Sequence, residues 1–420
     1  MLFRSPPGVH FNVAEVDFAS MYPTIMTIHN ISPETVNCPC CAPGAAGQFV
    51  GEGAKGRRPT YNPPPYPLPS TPVPEAGYHL CRRREGLVPR TLRPILVLRE
   101  RLKARAREAP PEEAVHYKKR QNALKWMLVT CFGYLGYKNA RFGRIEAHEA
   151  VTAYGRDKLL TAKEMGEAAG FRVLHGLTDC LWVQKPGAGE GELEELCRRI
   201  SGATGVKLAL EGVYRWIVFL ASRQDPRRPV ATRYFGVFRD GSLKVRGLFC
   251  RRRDTPPLVR RAQEALLAKM AEAATPAELA GLRPELEDLA EGFRQHLREG
   301  DLSPQDLVIT RVLSQPVAEY RVDTPTALAA RQLEKAGIHL DPGEKVRYVH
   351  LERRGPKETR VQAAPFLDTL APYDAEIYLE LLNRAIDEVL LPFGEVEGFG
   401  GEPPRKTAHL VRPWTKNDPG

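Results

Sequence analysis

The spacing of apolar residues along the chain predicts both strands and helices. Short apolar runs bounded by turn residues predict strands at 13–17, 171–185, 231–248 and 345–351. Apolar positions three and four residues apart predict helices at 91–107, 112–135, 146–169, 257–273, 284–300 and 374–390. An Asp240-Gly241 pair predicts a hairpin turn, and Tyr22-Pro23 predicts a turn after the first strand. The pattern as a whole predicts an α+β fold.

Two Pro-containing interruptions divide the N-terminal part of this pattern. Residues 37–77 are rich in Pro, Gly and Cys, a composition that cannot sustain a helix or a central strand, so we predict an excursion loop. The Ala109-Pro110-Pro111 break separates two helices that carry many Arg and Lys residues. Those two helices are predicted to form a basic helical hairpin.

Composition then limits the class of protein. A chain of 420 residues exceeds the size of one core, so we expect two or three compact units. The formal net charge of +10 favours a polyanionic partner such as nucleic acid. No apolar run is long enough to span a membrane and the N-terminus lacks the apolar core of a signal peptide, so a cytoplasmic protein without a membrane partner is predicted. Eight cysteines are too few for a disulfide scaffold.

Two aspartates stand at the ends of strand-like runs. Asp17 lies in EVDFASMYP and Asp179 in HGLTDCLWV. Phosphoryl transfer with two divalent ions requires carboxylates from separate strands to converge, because hard cations take oxygen ligands. Each aspartate considered alone is better explained by a turn or capping role, and only the combination favours a metal site.

The sequence around these aspartates resembles three motifs of family B DNA polymerases, in the order of the family. The matching segments are DFASMYPTIM, RQNALKWMLVTCFGYLGYKNARFG and HGLTDCLWV, followed by ATRYFGVF, VRGLFCRRRD, VLSQPVAEY, LDPGEKVRYV and YDAEIYLELL. The resemblance covers nearly the whole chain. It implies a right-hand polymerase with a palm of antiparallel sheet plus helices, helical-hairpin fingers and a mostly helical thumb.

By this resemblance we place the palm at 1–37 and 142–254, the fingers at 38–141 with the excursion at 38–80, and the thumb at 255–420. The implied substrates are primed template DNA and deoxynucleoside triphosphates, used in replication or repair. The implied cofactor is Mg2+, with two ions bound by Asp17 and Asp179.

The first motif implies a site for the triphosphate of the incoming nucleotide. Its backbone amides would form a concave anion site, contributed by Phe18, Ala19, Ser20, Met21 and Tyr22. Tyr22 would be the steric gate that excludes a 2'-hydroxyl. The alternative for Tyr22 is core packing, since tyrosine is commonly half-buried.

The two basic helices imply further contacts to the nucleotide. Arg99 and Lys103 are four residues apart and share one helix face, and Lys125 joins them from the second helix. By the resemblance, Val129 and Phe132 would lie beside the nascent base pair. The alternative is an ordinary solvated face.

Contacts to DNA are implied downstream. The resemblance assigns them to Thr178, Glu211, Arg233, Tyr234, Arg251, Arg252 and Arg253. Glu211 matches an auxiliary carboxylate near the metal ions, and Arg233 and Tyr234 match a hairpin that holds the primer terminus. Each of the arginines is also compatible with an ordinary surface role.

Several positions depart from the family pattern. Leu177 replaces the first aspartate of the third motif, Val129 replaces an asparagine and Phe132 replaces a tyrosine. Fewer hydrogen bonds to the new base pair predict a low-fidelity or lesion-tolerant enzyme. The alternatives are a catalytically weak or inactive DNA-binding subunit, and an RNA-making primase-like enzyme, against which Tyr22 argues.

Sixteen residues precede Asp17, which leaves no room for a proofreading exonuclease in this sequence. We therefore expect a separate chain that supplies the N-terminal and exonuclease domains, a short enzyme, or a truncated sequence.

One cysteine cluster predicts a second metal. Cys38 and Cys41 form a C-x-x-C pair, and His79 and Cys81 return at the base of the excursion, which suggests a structural Zn2+ site. Cys40 offers a competing ligand, and free thiols are the alternative.

Overall fold

A computed structural model describes residues 6–41, 70–222, 229–300, 302–368 and 372–395. The chain forms two compact units. Of the described residues, the first unit comprises Ala14–Gly212, and the second comprises residues 6–13 together with those from Val213 onward. These bounds differ from those of the predicted palm, fingers and thumb, which stay a prediction.

The first unit contains most of the helices in the N-terminal half. Its elements are the end of β1 (Gly8–Phe18), α1 (Met21–Ile28), β2 (Ser70–Pro72), β3 (His79–Cys81), α2 (Leu87–Glu108), α3 (Pro111–Leu135), α4 (Ile145–Ala168), β4 (Arg172–Leu177), β5 (Cys180–Gln184), α5 (Glu190–Thr204) and the start of β6 (Leu208–Ala221). Strands β4 and β5 form an antiparallel hairpin, and β5 also pairs antiparallel with β1. The register places Asp17 opposite Cys180.

The two long basic helices have local signals at their ends. Pro111 begins α3 at a position where a missing amide costs no helical hydrogen bond, and Glu112 and Glu113 lie in its first turn, where negative charge is favourable. Helix α2 ends with Arg105 and Arg107 in its last turn. The structure therefore confirms the predicted helical hairpin.

The second unit packs helices against antiparallel strands. Its elements are the remainder of β1 and β6, then β7 (Pro229–Phe238), β8 (Leu243–Arg246), α6 (Pro257–Met270), α7 (Pro276–Gly281), α8 (Arg283–Glu299), β9 (Ile309–Val312), α9 (Pro325–Lys335), β10 (Lys345–His350), β11 (Val361–Ala363) and α10 (Ala375–Leu390). Strands β6, β7 and β8 pair in sequence order, and β10 lies between β9 and β11. Trp216, Phe235, Tyr378 and Phe393 are among the large side chains in one continuous core.

The α+β prediction is confirmed by these helices and antiparallel strands. Two local predictions were wrong. Tyr22 and Pro23 lie in the first turn of α1 rather than in a connecting turn. The predicted excursion contains the hairpin of β2 and β3 near its end, while residues 42–69 of that prediction lie outside the described residues. Among the described residues, none of the helices has the length and hydropathy needed to cross a bilayer.

Candidate active site

The pairing of β1 with β5 brings the two predicted aspartates together. Asp17 faces Cys180 across the strands, and Asp179 directly precedes β5. The Cys180 thiol donates to Asp17 Oδ1 at 3.3 Å and lies 3.5 Å from Asp179 Oδ1. Ligand atoms from these three residues all lie within 4.8 Å of one another. Two carboxylates at this separation are suited to binding a hard divalent cation.

The environment of this pair opposes negative charge. Burial and the neighbouring Asp179 raise the pKa of Asp17 to about 6, although the hydrogen bond from Cys180 acts in the opposite direction. Burial also raises the pKa of Asp179, while Lys125 lowers it. Burial and both carboxylates raise the pKa of the Cys180 thiol, so that thiol stays protonated. A bound divalent cation would remove the repulsion between the two carboxylates.

The turn that carries Asp179 is strained. Thr178 has a φ of 53°, and the Asp179 amide donates to the Leu177 carbonyl oxygen at 2.6 Å. This three-residue turn with a positive central φ is rare for a residue with a side chain. Such strain is concentrated at functional sites, because the surrounding structure must impose it. Thr178 itself is exposed.

A cavity of about 720 Å³ in the first unit opens beside the two carboxylates. It is lined by the residues Asp17 to Pro23, by one face of α2, by part of α3, and by Lys207 to Glu211 at the start of β6. All of the residues predicted for the triphosphate site line this one cavity: Phe18, Ala19, Ser20, Met21, Tyr22, Arg99, Lys103 and Lys125.

The backbone at the cavity floor differs from the prediction at two positions. The Phe18 amide donates to the Asp179 carbonyl oxygen and the Ala19 amide to that of Lys207, both at 2.8 Å. These amides are therefore occupied within the protein and do not extend the predicted anion site. Ser20, with a φ of 50°, is the N-cap of α1, so the first-turn amides after it remain the anion-binding candidates.

Helix α2 presents cations to the same cavity. Arg99 is 8% exposed, and its Nη1 donates to Ser20 Oγ at 2.6 Å, while its buried Nε has no hydrogen-bond partner within the part of the chain that the structure describes. Burial lowers the pKa of Arg99. Lys103 Nζ lies 2.9 Å from Glu100 Oε1. Arg107, one further turn along this face, also lines the cavity, and its periodic spacing could have identified it.

Tyr22 lies in an aromatic stack on one side of the cavity. Its ring centroid is 4.4 Å from that of Phe132, which in turn stacks on His148 at 4.3 Å. Gly155 of α4 leaves room for the Tyr22 ring, since an added Cβ there would come within 3.0 Å of it. Burial and Asp179 raise the pKa of the Tyr22 hydroxyl. Val129, from α3, is exposed toward solvent and also lines the cavity.

Two further carboxylates, Glu211 and Glu15, lie near this pair and differ in exposure. Glu211 is exposed and lines the cavity, and its charge raises the pKa of Asp17. Glu15, two residues before Asp17 on the same strand, is 1% exposed and also raises that pKa. The sequence analysis missed Glu15, Lys207 and Cys180. The alternation of side chains along β1 is the signal that could have placed Glu15 beside Asp17.

The residues of the second unit that were predicted to contact DNA differ in their exposure and in their ion pairs. Arg233 forms an ion pair with Glu388 of α10, and Tyr234 is only 4% exposed. Arg252 pairs with Asp254, whereas Arg251 and Arg253 are exposed. A buried Tyr234 is less available for contact with a ligand than the prediction assumed.

The cysteine cluster lies apart from the carboxylates and differs from the prediction in one member. Sulfur atoms of Cys38, Cys40, Cys41 and Cys81 all lie within 4.8 Å of one another, so Cys40 rather than His79 completes the group. His79 Nε2 lies 3.9 Å from Cys38 Sγ and 3.3 Å from the Cys38 carbonyl oxygen. A cluster of this composition could hold a metal ion.

Comparison with known proteins places this geometry in context. The model of a family described as DNA polymerase family B matches residues 7–393. The chain is 30% identical to DNA polymerase 2 of Aeropyrum pernix, over 90% of this chain and 42% of that protein. It is 28% identical to DNA polymerase 1 of Pyrococcus abyssi, over 92% of this chain and 46% of that protein.

A solved structure agrees with the sequence comparisons. The family B DNA polymerase from the hyperthermophilic archaeon Pyrobaculum calidifontis is similar to this chain with a TM-score of 0.61 and 26% identity. The match covers 93% of this chain and 46% of that structure. The chain thus spans less than half the length of each of these proteins.

Proposed function

Because the chain belongs to DNA polymerase family B, we propose that it extends a DNA primer on a DNA template with deoxynucleoside triphosphates. The observation that supports this most directly is the shared cavity, in which Asp17 and Asp179 face the cations of α2 and the start of α1. Carboxylates for metal ions and cations for a triphosphate are the two requirements of nucleotidyl transfer.

We further propose that the two carboxylates hold Mg2+, in a palm formed by 1–37 and 142–254. Carboxylate oxygens suit this hard cation, whereas the protonated Cys180 thiol does not. When bound, Mg2+ supplies charge neutralisation at the attacking and leaving oxygens. The excursion and basic hairpin at 38–141 would be the fingers, and 255–420 the thumb.

The chain's own residues would bind and orient the nucleotide. Arg99 is held by Ser20 through Nη1 and lines the cavity, so its guanidinium is positioned to bind phosphate oxygens. Lys103 and Lys125 add charge from the same cavity. Amides in the first turn of α1 would bind phosphate at the positive end of that helix.

Tyr22 is proposed to select the sugar, since its ring is fixed against Phe132 at the cavity wall. Tyr22→Ala should raise the kcat/KM for ribonucleotides relative to deoxynucleotides by roughly 10-fold or more, because the space for a 2'-hydroxyl would open. Tyr22→Phe is the matched control and should keep the wild-type ratio. An unchanged ratio in Tyr22→Ala would leave core packing as the role of this ring.

A lowered fidelity is proposed from the apolar side chains at the nucleotide end of α3. Val129 and Phe132 cannot hydrogen-bond to the new base pair, so shape alone would select the base. The wild-type protein should misincorporate nucleotides more often than a Val129→Asn, Phe132→Tyr double variant does when both error rates are measured. Equal error rates would contradict the proposal.

A second candidate is a catalytically weak or inactive DNA-binding subunit, and Leu177 favours it. This residue ends β4 directly before the strained turn and contributes no ligand to the carboxylate pair. The pair therefore has one oxygen donor group fewer than the family motif would provide.

Primer extension separates the two candidates. Wild-type protein, Asp179→Ala and the control Asp288→Ala would be assayed on a primed template with Mg2+ and four deoxynucleotides, and DNA binding would be measured on the same preparations. Extension by the wild type and the control but not by Asp179→Ala would support the polymerase. No extension by any of them, with DNA binding intact, would favour the binding subunit.

A further inference from the structure

We propose that Cys38, Cys40, Cys41 and Cys81 bind one zinc ion as four thiolates, and that this site fastens the start of α2 to the segment after α1. The site is separate from the carboxylates and does not depend on the proposed polymerase activity.

The separations between the sulfur atoms match a tetrahedral metal site. Cys40 Sγ lies 3.4 Å from Cys38 Sγ, 3.6 Å from Cys81 Sγ and 4.0 Å from Cys41 Sγ, and Cys41 Sγ lies 3.9 Å from Cys81 Sγ. Four sulfurs about 2.3 Å from a central zinc would be about 3.8 Å apart. A disulfide would require a sulfur separation of about 2.05 Å, so these cysteines are reduced.

Backbone hydrogen bonds bring the thiols together from distant parts of the sequence. Residues Pro39–Cys41 form a short helical turn, in which the Cys41 amide donates to the Cys38 carbonyl oxygen. This turn is attached to β3, because the Asn37 amide donates to His79 and the Cys81 amide donates to Thr35, both at 2.9 Å. The ligand set is therefore positioned by the protein before any ion binds, which lowers the entropic cost of binding.

The surroundings suit a thiolate site that carries excess negative charge. Four thiolates and one divalent ion leave a net charge of about −2. The side chains of Arg82, Arg83 and Arg84 place three cations next to Cys81 in sequence. Nearby cations favour the charged form of the ligands and offset the excess negative charge of such a site.

Three of the four cysteines are buried, and the fourth is exposed to solvent. Cys38, Cys41 and Cys81 are at most 3% exposed, so water is excluded from most of the site. Cys40 is exposed and leaves a path by which an ion can enter. A buried group of thiols with one open side is typical of a structural zinc site rather than of packing thiols alone.

The position of the cluster explains what a metal would stabilise. Asn30 Nδ2 donates to the Cys81 and Arg84 carbonyl oxygens, and Asn30 Oδ1 accepts from the Gly86 amide, each at 2.8 Å. Glu34 Oε1 accepts from the Leu87 amide at the first residue of α2. An ion that joins Cys41 to Cys81, which are 40 residues apart, would close this loop and hold α2 in place.

The experiment measures metal content directly. Protein purified under reducing, anaerobic conditions would be analysed by mass spectrometry for zinc, then stripped and titrated with Co2+ while thiolate-to-cobalt absorption is recorded. We expect about one ion per chain and the absorption of a four-thiolate tetrahedral site. Less than about 0.2 ion per chain after addition of Zn2+, with no such absorption, would overturn the proposal.

Variants identify the ligands. Cys40→Ser and Cys81→Ser should bind zinc at least about 10-fold more weakly, and the control Cys197→Ser should bind as the wild type does. His79→Ala removes only a neighbour of Cys38, so it should weaken binding less than either ligand substitution. Loss of binding in His79→Ala with retention in Cys40→Ser would overturn the four-cysteine set.

A measurement on the wild-type chain covers the case in which a variant does not fold. Iodoacetamide should label the exposed Cys40 slowly in the presence of Zn2+ and at least 10-fold faster after chelation. Equal labelling rates in both conditions would contradict coordination by Cys40.

Discussion

The carboxyl group of Asp17 is destabilising in the metal-free protein. Burial and the nearby Asp179 raise its pKa from 3.8 to about 6. Between these values the folded protein therefore binds more protons than the unfolded chain does. The free energy of unfolding contributed by this group falls as the pH rises through that window, and the loss persists above it.

Asp17→Asn should therefore stabilise the metal-free protein at pH 7.5 while abolishing primer extension. The raised pKa corresponds to about 3 kcal/mol before solvent screening, and partial exposure reduces the expected gain to roughly 1–2 kcal/mol. Thermal unfolding in magnesium-free buffer at pH 7.5 and pH 4 measures this difference, which should fall to a small fraction at pH 4, close to the unfolded-state pKa of 3.8. Asp288→Asn is the control. A variant less stable than wild type at pH 7.5 would contradict the electrostatic account.

Leu177→Asp should strengthen metal binding, because it adds a carboxylate at the end of β4 beside the strained turn. We expect the Mg2+ concentration for half-maximal extension to fall by roughly 10-fold, since each added ligand charge favours a divalent ion. A Mg2+ titration of the extension rate measures it, with Leu177→Asn as the uncharged control. The same half-maximal concentration in both variants would show that the absence of this carboxylate does not limit metal binding.

At the scale of single residues, recognisable motifs identified side chains that the fold places together, while their catalytic and binding roles stay predictions. Asp17, Asp179, Tyr22, Arg99 and Lys125 all line one cavity, as the motifs implied. The family resemblance is confirmed. Cys180 could not be identified as a hydrogen-bond donor to both aspartates, because that role depends on the register between β1 and β5.

At the scale of elements, the periodic spacing of apolar residues, together with the Pro and Gly residues that bound each run, identified the helices and strands that have one buried face. Helices α2, α3 and α4 agree with their predicted bounds to within a few residues. Strand β6 was missed because its second half is buried on both faces, which removes the alternation on which the prediction depended. Helix α5 was also missed, although Leu193, Leu196, Cys197 and Ile200 follow a helical period.

The close pairing of β6 with β7 requires glycine at position 236. A Cβ at Gly236 would lie 2.7 Å from the Trp216 carbonyl oxygen and 2.9 Å from Ile217 Cα. Gly236→Ala should therefore cost more than about 2 kcal/mol, because backbone atoms cannot move aside as a side chain can. Urea unfolding of the variant measures the cost.

A matched control for that substitution lies in the same compact unit. Apart from the backbone of α8 itself, no atom of the described residues lies within 4 Å of a Cβ built at Gly292, so Gly292→Ala should stabilise the protein by about 0.5–1 kcal/mol. Similar unfolding midpoints for the two variants would contradict the packing around Gly236.

At the scale of the whole molecule, a net charge of +10 predicts DNA binding that weakens with salt. Arg251 and Arg253 are exposed, so a double substitution to alanine should reduce the slope of log affinity against log salt by about 1–2. Fluorescence anisotropy with duplex DNA at several salt concentrations measures the slope. An Arg298→Ala control should leave it unchanged, and an unchanged slope in the double variant would exclude phosphate contacts by these arginines.

The division into domains and the lack of proofreading stay predictions at this scale. The chain forms two compact units, which agrees with the two or three expected from its length. The boundaries between these units fall within β1 and β6, where no pattern along the chain marks a change. The chain also spans less than half of the curated relatives, so the domain composition of those proteins cannot be carried over to it.

The pairing of β1 with β5 also determines when the active site can first exist. Asp17 and Cys180 are 163 residues apart, and their strands are neighbours only in the folded sheet. Contacts between such distant segments form late, since the loop between them must close first. During synthesis at the ribosome, the chain would acquire the Asp17–Asp179 carboxylate pair only after β5 has emerged, and any shorter nascent chain would carry a solitary Asp17.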